Sequence, residues 1–273
     1  TTAVKDALGK STKYAYDANG NRTSMTNRLG DIWTYTYDAN NRLVSETDAL
    51  GGVTTYTYDE LGNVTKTVTP AKAETAIEYD SMSRPVVVTN ALGFGTRFAY
   101  DALGRVTTVT NPDGTSVSYT YNANGQVLTA TNEMGGVVTY TYDANGRVTS
   151  ITDPMGGKTT QTYDGVGNVT SVTDPLGQTV KYTYNGNNAF ETVTDAKGGV
   201  VSYAYDADGR ISTLTDAKGG VTSYSYDAVG QLTTLTDAEG NTTKYTYDLL
   251  GRLTSMTDGR GNKTVYAYDN EGN

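Results

Sequence analysis

The chain reads as all-β: 21-residue β-hairpin repeats forming a long antiparallel meander that coils into a spiral strip or part of a hollow shell. Three observations lead there. A Tyr-Asp pair returns every 21 residues, with its Asp at 17, 38, 59, 80, 101, 143, 164, 206, 227, 248 and 269, and Asn122 and Asn185 filling the two gaps. The residues before that Asp alternate between large rings and small side chains. Two Asp- or Asn-opened tetrads ending in Gly punctuate each period. A fixed period in this range marks an array in which no unit buries its own apolar face and each leans on its neighbours.

The strand before the Tyr-Asp pair is the clearest element. The residue preceding the Asp is Tyr in all 13 copies, and the residue two earlier is Tyr in ten, with Ile77, Phe98 and Gln161 as exceptions; these two rows hold all 23 tyrosines. A spacing of two puts both rings on one face of a strand. Between them stands Thr, Ser or Ala (Thr36, Thr141, Ala204, Ser225) in every copy but one, where it is Glu78. Thr and Tyr both suit a pleated, half-buried surface. This tyrosine ladder is expected to be the buried layer, with its hydroxyls hydrogen-bonded, because each ring can bury about 150–250 Å².

The turns come next. Asp143-Ala144-Asn145-Gly146 typifies the first tetrad and Asp153-Pro154-Met155-Gly156 the second, ten residues on. Asp or Asn first, Pro tolerated second and Gly fourth is the type I preference, with the Gly forming the bulge that fits the turn to a hairpin. Asp6-Ala7-Leu8-Gly9, Asn111-Pro112-Asp113-Gly114, Asp174-Pro175-Leu176-Gly177 and Asp206-Ala207-Asp208-Gly209 repeat the scheme. Four of the five prolines (Pro70, Pro112, Pro154, Pro175) take the second position, where a fixed φ helps and no ladder donor is lost.

Turns ten and eleven residues apart leave six or seven residues between them, an ordinary strand length. In the unit 140–157 the strands are expected at 146–152 and 157–163. Val148 and Ile151 stand three apart, which breaks strict alternation and calls for a bulge or a local twist. No segment has a helical period. About 26 strands at roughly 4.8 Å make a strip on the order of 120 Å by 20 Å, and strand twist of roughly 20–25° requires it to coil.

The pattern lapses twice. Thr69-Pro70-Ala71-Lys72 lacks both Asp and Gly, and Ser83-Arg84-Pro85 puts a proline at a strand start, either as a kink in the strip or as drift in a tolerant repeat. Asn185-Gly186-Asn187-Asn188 keeps an Asn that can take the left-handed conformation at 188.

Composition narrows the function. A net charge of −9 with no basic stripe argues against nucleic acid. Nothing approaches 18 consecutive apolar residues, so no membrane span is expected. With neither His nor Cys, a Ser-His-Asp or Cys-His arrangement and a zinc site of the usual type are absent. Catalytic carboxylates require two particular residues in different environments, whereas the Tyr-Asp aspartates occupy equivalent positions, which favours turn capping. Calcium would need denser ligation than Asp-x-x-Gly supplies. No catalytic, metal or cofactor-binding residue and no cofactor is therefore proposed. Five Asn-x-Thr sequons (Asn21, Asn63, Asn168, Asn241, Asn262) fit chance in a Thr-rich chain. The chain starts in mid-pattern at Thr1 and stops just after a turn, so residues 1–273 are expected to be one continuous array of about 13 repeats cut at both ends.

Tyr-x-Tyr-Asp-x-x-Gly-Arg-Val/Leu followed by Thr-Asp-x-x-Gly resembles the YD or Rhs repeat, over the whole chain. The resemblance implies a β-strip spiralling into a hollow shell, as in bacterial Rhs polymorphic toxins, the B and C components of insecticidal toxin complexes and the related adhesive shell of teneurins. It implies containment: a large secreted or surface bacterial protein whose partner is a toxic or effector domain of the same polypeptide, C-terminal to this segment. Such shells are closed by a plug and cleave themselves near an Asp-Pro-x-Gly motif. Asp153-Pro154-Met155-Gly156 and Asp174-Pro175-Leu176-Gly177 match those letters, but both stand in register as ordinary second turns. The alternative is an adhesive or carbohydrate-binding stalk or filament at a cell surface, for which the ladder rings would be solvent-exposed.

Overall fold

A computed structural model describes residues 2–5, 9–269 and 271–272. The expected first turn at 6–9 lies mostly outside the described residues. Among those described there are 26 strands and no helix.

The unit Thr1–Val137 runs from the strand Thr2–Lys5 to the strand Val127–Thr131, and each strand pairs antiparallel with the one that follows it. The unit Val138–Asn273 repeats that plan from Val137–Tyr142 to Lys263–Val265. The expected strands of the unit 140–157 are present as Val148–Thr152 and Lys158–Tyr163, their first residues being taken up by the turns. Among the described residues of each unit, strands contact only their neighbours in sequence.

The odd spacing of apolar residues resolves as a bulge. Thr141 faces Ser150, but Tyr142 faces Val148, which leaves Thr149 as the extra residue. The same shift recurs before the Tyr-Asp turn in each such hairpin among the described residues, from Ala15/Tyr16 to Thr246/Tyr247. Hairpins at the second turn keep a plain register, as in Ser150↔Thr160 and Ile151↔Thr159. An extra residue reverses the alternation once. Val148 and Ile151 therefore share a face with Tyr142 and Tyr140, while Thr141, Ser150 and Thr152 lie on the other.

Burial departs from expectation. The tyrosines are half-buried rather than largely buried, and Tyr16 and Tyr266 are exposed (48% and 38%). Among the described residues only Val87, Ser150 and Ser255 are buried, each seven residues past its Tyr-Asp aspartate and on the hydroxyl-bearing face. The reason is geometric. A ring in a single sheet packs against its flanks alone, and among the described residues neither unit lays a second layer over its own rings.

The lapses leave the backbone plan intact. At Thr69 the turn closes with the usual pair of bonds, Thr69 N to Ala73 O and Lys72 N to Thr69 O (both 2.9 Å), with Lys72 at φ +63°. The turn is thus built as in the regular copies. Asn188 takes the left-handed conformation as expected (φ +60°), as do Asn41 and Ser83.

Candidate functional site

The chemistry-bearing residues gather at the Tyr-Asp turns, and Asp143 shows their construction. Its backbone N–H donates to Arg147 O (2.9 Å), and Gly146 N–H donates to Asp143 O (3.0 Å). Gly146 does so at φ +83°, a region that suits glycine. The carboxylate organises the loop: Oδ1 accepts the N–H groups of Asn145 and Arg147 (both 2.9 Å), and Oδ2 accepts Nε–H of Arg147 (2.7 Å). Those bonds hold its pKa below the ordinary carboxylate value, the backbone N–H of Arg147 contributing most, with partial desolvation opposing. Turn capping, expected from the sequence, is therefore what the Asp does.

The arginine was not legible as a functional residue, yet it ties one repeat to the next. Arg147 Nη1 donates to Asp164 O (3.0 Å), and the guanidinium lies 4.5 Å from the centre of the Tyr163 ring. The Tyr163 hydroxyl returns a bond to Val148 O (2.7 Å), beside the arginine. Arg42, Arg84, Arg105, Arg210 and Arg252 repeat this joint with Tyr58, Tyr100, Tyr121, Tyr226 and Tyr268, at 4.6–4.8 Å to the ring centres. A cation over an aromatic face contributes about 0.5–1 kcal/mol at such partly exposed sites. The signal available in the sequence was the recurrence of Arg four residues past the Asp.

The two tyrosine rows also separate. From Tyr37 to Tyr121 and from Tyr163 to Tyr268, those next to the Asp donate to a backbone carbonyl 15 residues upstream, at 2.6 Å for Tyr121 and 3.0 Å for Tyr37. In the row two residues earlier, among the described residues, only Tyr56 has a hydroxyl hydrogen bond, to Glu46 Oε1 (2.9 Å). Desolvation, followed by that Glu46 contact, raises its pKa.

Other constellations weighed from the sequence also find a structural place. Asp153 Oδ1 accepts the N–H groups of Met155 and Gly157 (2.8 and 2.9 Å), and Asp174 Oδ1 accepts those of Leu176 and Gln178 (2.9 and 2.8 Å). Both Asp-Pro motifs are ordinary turns. Each sequon asparagine donates its amide to the Oδ2 of the Asp four residues earlier: Asn21 to Asp17, Asn63 to Asp59, Asn168 to Asp164, Asn241 to Asp237 and Asn262 to Asp258. The sequons thus arise where a turn Asn precedes a strand Thr. No cluster of three or more acidic side chains that could hold a metal occurs among the described residues, and no helix there is long and apolar enough to cross a membrane.

Comparison with known proteins agrees with this geometry. The RHS Repeat family model matches residues 1–32, 16–53, 37–75, 191–222, 205–242, 226–263 and 247–273, together more than half of the chain. The Teneurin YD-shell model matches residues 66–186. No curated protein matches. Among solved structures, TcdB2-TccC3 is similar with a TM-score of 0.53 and 16% identity over 98% of this chain and 18% of that one. TcdB2-TccC3 without its hypervariable C-terminal region gives the same score and identity over 97% and 19%. The chain thus spans less than a fifth of the length of these structures, and at this identity the likeness is one of fold. With the family model covering most of the repeats and the fold shared end to end, the chain belongs to the RHS-repeat family.

Proposed function

We propose that this segment is a non-enzymatic panel of a secreted bacterial shell, one continuous array within a longer strip that encloses a toxic or effector region of the same polypeptide. The observation that carries this reading is the use of charge in the turns. At each Arg joint the Asp, the Arg and the ring of the next repeat are committed to one another, so polar residues that could do chemistry serve as fastenings between panels. Membership of the RHS-repeat family and the fold likeness to TcdB2-TccC3 support it. TcdB2-TccC3 carries a hypervariable C-terminal region, which is the kind of segment a constant wall would hold.

Limited proteolysis of the full-length protein tests the proposal. A C-terminal fragment should resist protease in the native protein and become sensitive when mild denaturant opens the wall. If that region is digested as fast in the native protein as in the denatured one, nothing is enclosed.

A second reading has one observation in its favour. The tyrosine row two residues before the Asp is half-exposed, and most of its hydroxyls are without protein partners among the described residues. Rings of that kind suit a carbohydrate or cell-surface contact. Glycan-array binding that is lost when Tyr203 and Tyr224 are changed to Ala would support the adhesive role.

A further inference from the structure

The Arg joint is one of two kinds. In three Tyr-Asp turns that are followed by another, the fifth residue is Asn instead of Arg: Asn21, Asn63 and Asn168. Besides capping its own Asp, each of these asparagines reaches across to the fourth residue of the following Tyr-Asp turn, 20 residues on. Asn21 Nδ2 donates to Asn41 Oδ1 (2.7 Å), Asn63 Nδ2 to Ser83 Oγ (3.0 Å) and Asn168 Nδ2 to Asn188 Oδ1 (3.0 Å). The three acceptors share another property. They are the non-glycine residues at positive φ in these turns, at 60°, 59° and 60°. In every other described turn of this class that follows an earlier one, the fourth residue is Gly, and the fifth residue of the turn before it is Arg, Gln or Ala.

Steric space matches the chemistry. A Cβ built on Gly251 would sit only 2.9 Å from Gln231 Nε2, whereas beside Arg it would be in ordinary contact, 3.4 Å from Arg210 Nη1 at Gly230 and 3.6 Å from Arg84 Nη1 at Gly104, and at Gly62 it would meet nothing within 4 Å. Gln231 excludes a side chain on the following turn; Arg lies beside that position and spends its own donor on the next turn's carbonyl, so no side-chain acceptor is called for. Asn is too short to reach the next carbonyl as Arg does. It leaves a gap with an unused donor, and a side-chain acceptor on the next turn fills it. A non-glycine residue in the left-handed region is disfavoured by roughly 1–2 kcal/mol in general, less for Asn, and the hydrogen bond offsets that.

We infer that residues 20 apart across neighbouring Tyr-Asp turns form matched pairs, Arg or Gln with Gly and Asn with a left-handed Asn or Ser, and that this pairing determines which repeat can follow which. Panels of the wall are then not interchangeable: an Asn-type repeat specifies its successor. The inference holds whether or not the wall encloses a cargo.

Hydrogen-exchange mass spectrometry on the full chain tests it through peptides covering 164–168 and 185–189. Asn188→Gly keeps the left-handed backbone and removes only the acceptor, so it isolates the pair from backbone strain. Asn168→Ala and Asn188→Gly should each speed exchange in both turns, by about fivefold for one hydrogen bond. The double variant should be no faster than either single change. Asn168→Arg combined with Asn188→Gly, which installs the other joint, should restore protection. All four variants alter half-exposed or exposed turn residues, so the fold should survive. Additive effects of the two single changes, faster exchange confined to the mutated turn, or failure of the Arg-Gly combination to restore protection would each overturn the pairing.

Discussion

The Tyr163 hydroxyl donates to the carbonyl of Val148, 15 residues upstream and on the neighbouring strand, at 2.7 Å. With the Arg147 guanidinium over the same ring, the bond closes a circuit between consecutive Tyr-Asp turns.

Tyr163→Phe removes the donor and leaves a carbonyl in a half-buried position. The expected loss is about 0.5–1.5 kcal/mol, in the range of one net hydrogen bond. Tyr140→Phe, in the row two residues earlier and with no hydroxyl partner among the described residues, should be close to neutral. Paired thermal melts of the two variants check this, and equal losses would show that the two rows do not differ in role.

Arg147→Ala should cost about 1–2 kcal/mol, because it removes the stacking on Tyr163, the bond to Asp164 O and half of the pairing with Asp143. Arg147→Lys should recover little of that loss. Lys keeps the charge but has no planar fork to span the Asp carboxylate, the next carbonyl and the ring together. Chemical denaturation of both variants measures the difference.

The turn carboxylates predict an acid-sensitive wall. Asp38, Asp101, Asp143, Asp206 and Asp248 are held below the ordinary value of 3.8, first by the backbone N–H four residues on and also by the Arg side chain there, with desolvation opposing. A carboxyl with a depressed native pKa contributes stability that is present above its unfolded value and is lost as pH falls through the native one. With no His in the chain, the melting temperature should vary little from about pH 5 to 8 and fall below about pH 4. Retention of the pH 7 melting temperature down to pH 2 would contradict the role given to these groups.

On the opposite edge, Gly259 faces Asn241. A Cβ at 259 would lie 2.8 Å from Asn241 Cβ and 3.2 Å from its Cα, so part of the clash is with backbone. Gly259→Ala should therefore destabilise by about 1–3 kcal/mol, the usual cost of overpacking. Asn241→Gly in the same chain should relieve most of it. Melts of the single and double variants report the coupling directly.

Much of this protein was legible without coordinates. The 21-residue period, the Tyr-x-Tyr alternation and the Asp-x-x-Gly tetrads determined the hairpins, the turns and the strand limits to within a residue or two, because backbone geometry acts over short spans. Even the left-handed Asn188 could be anticipated from its place in a turn. Three things were decided only in the folded chain. The bulge at Thr149 depends on which residue opposes Tyr142, and one-dimensional spacing shows the irregularity without locating it. The tyrosines proved half-buried because burial depends on a second layer, which no strand pattern reveals. The Arg147–Tyr163 and Asn168–Asn188 pairs lie 16 and 20 residues apart. Period alone says that such positions recur; only the register of neighbouring hairpins brings them within hydrogen-bonding and stacking distance.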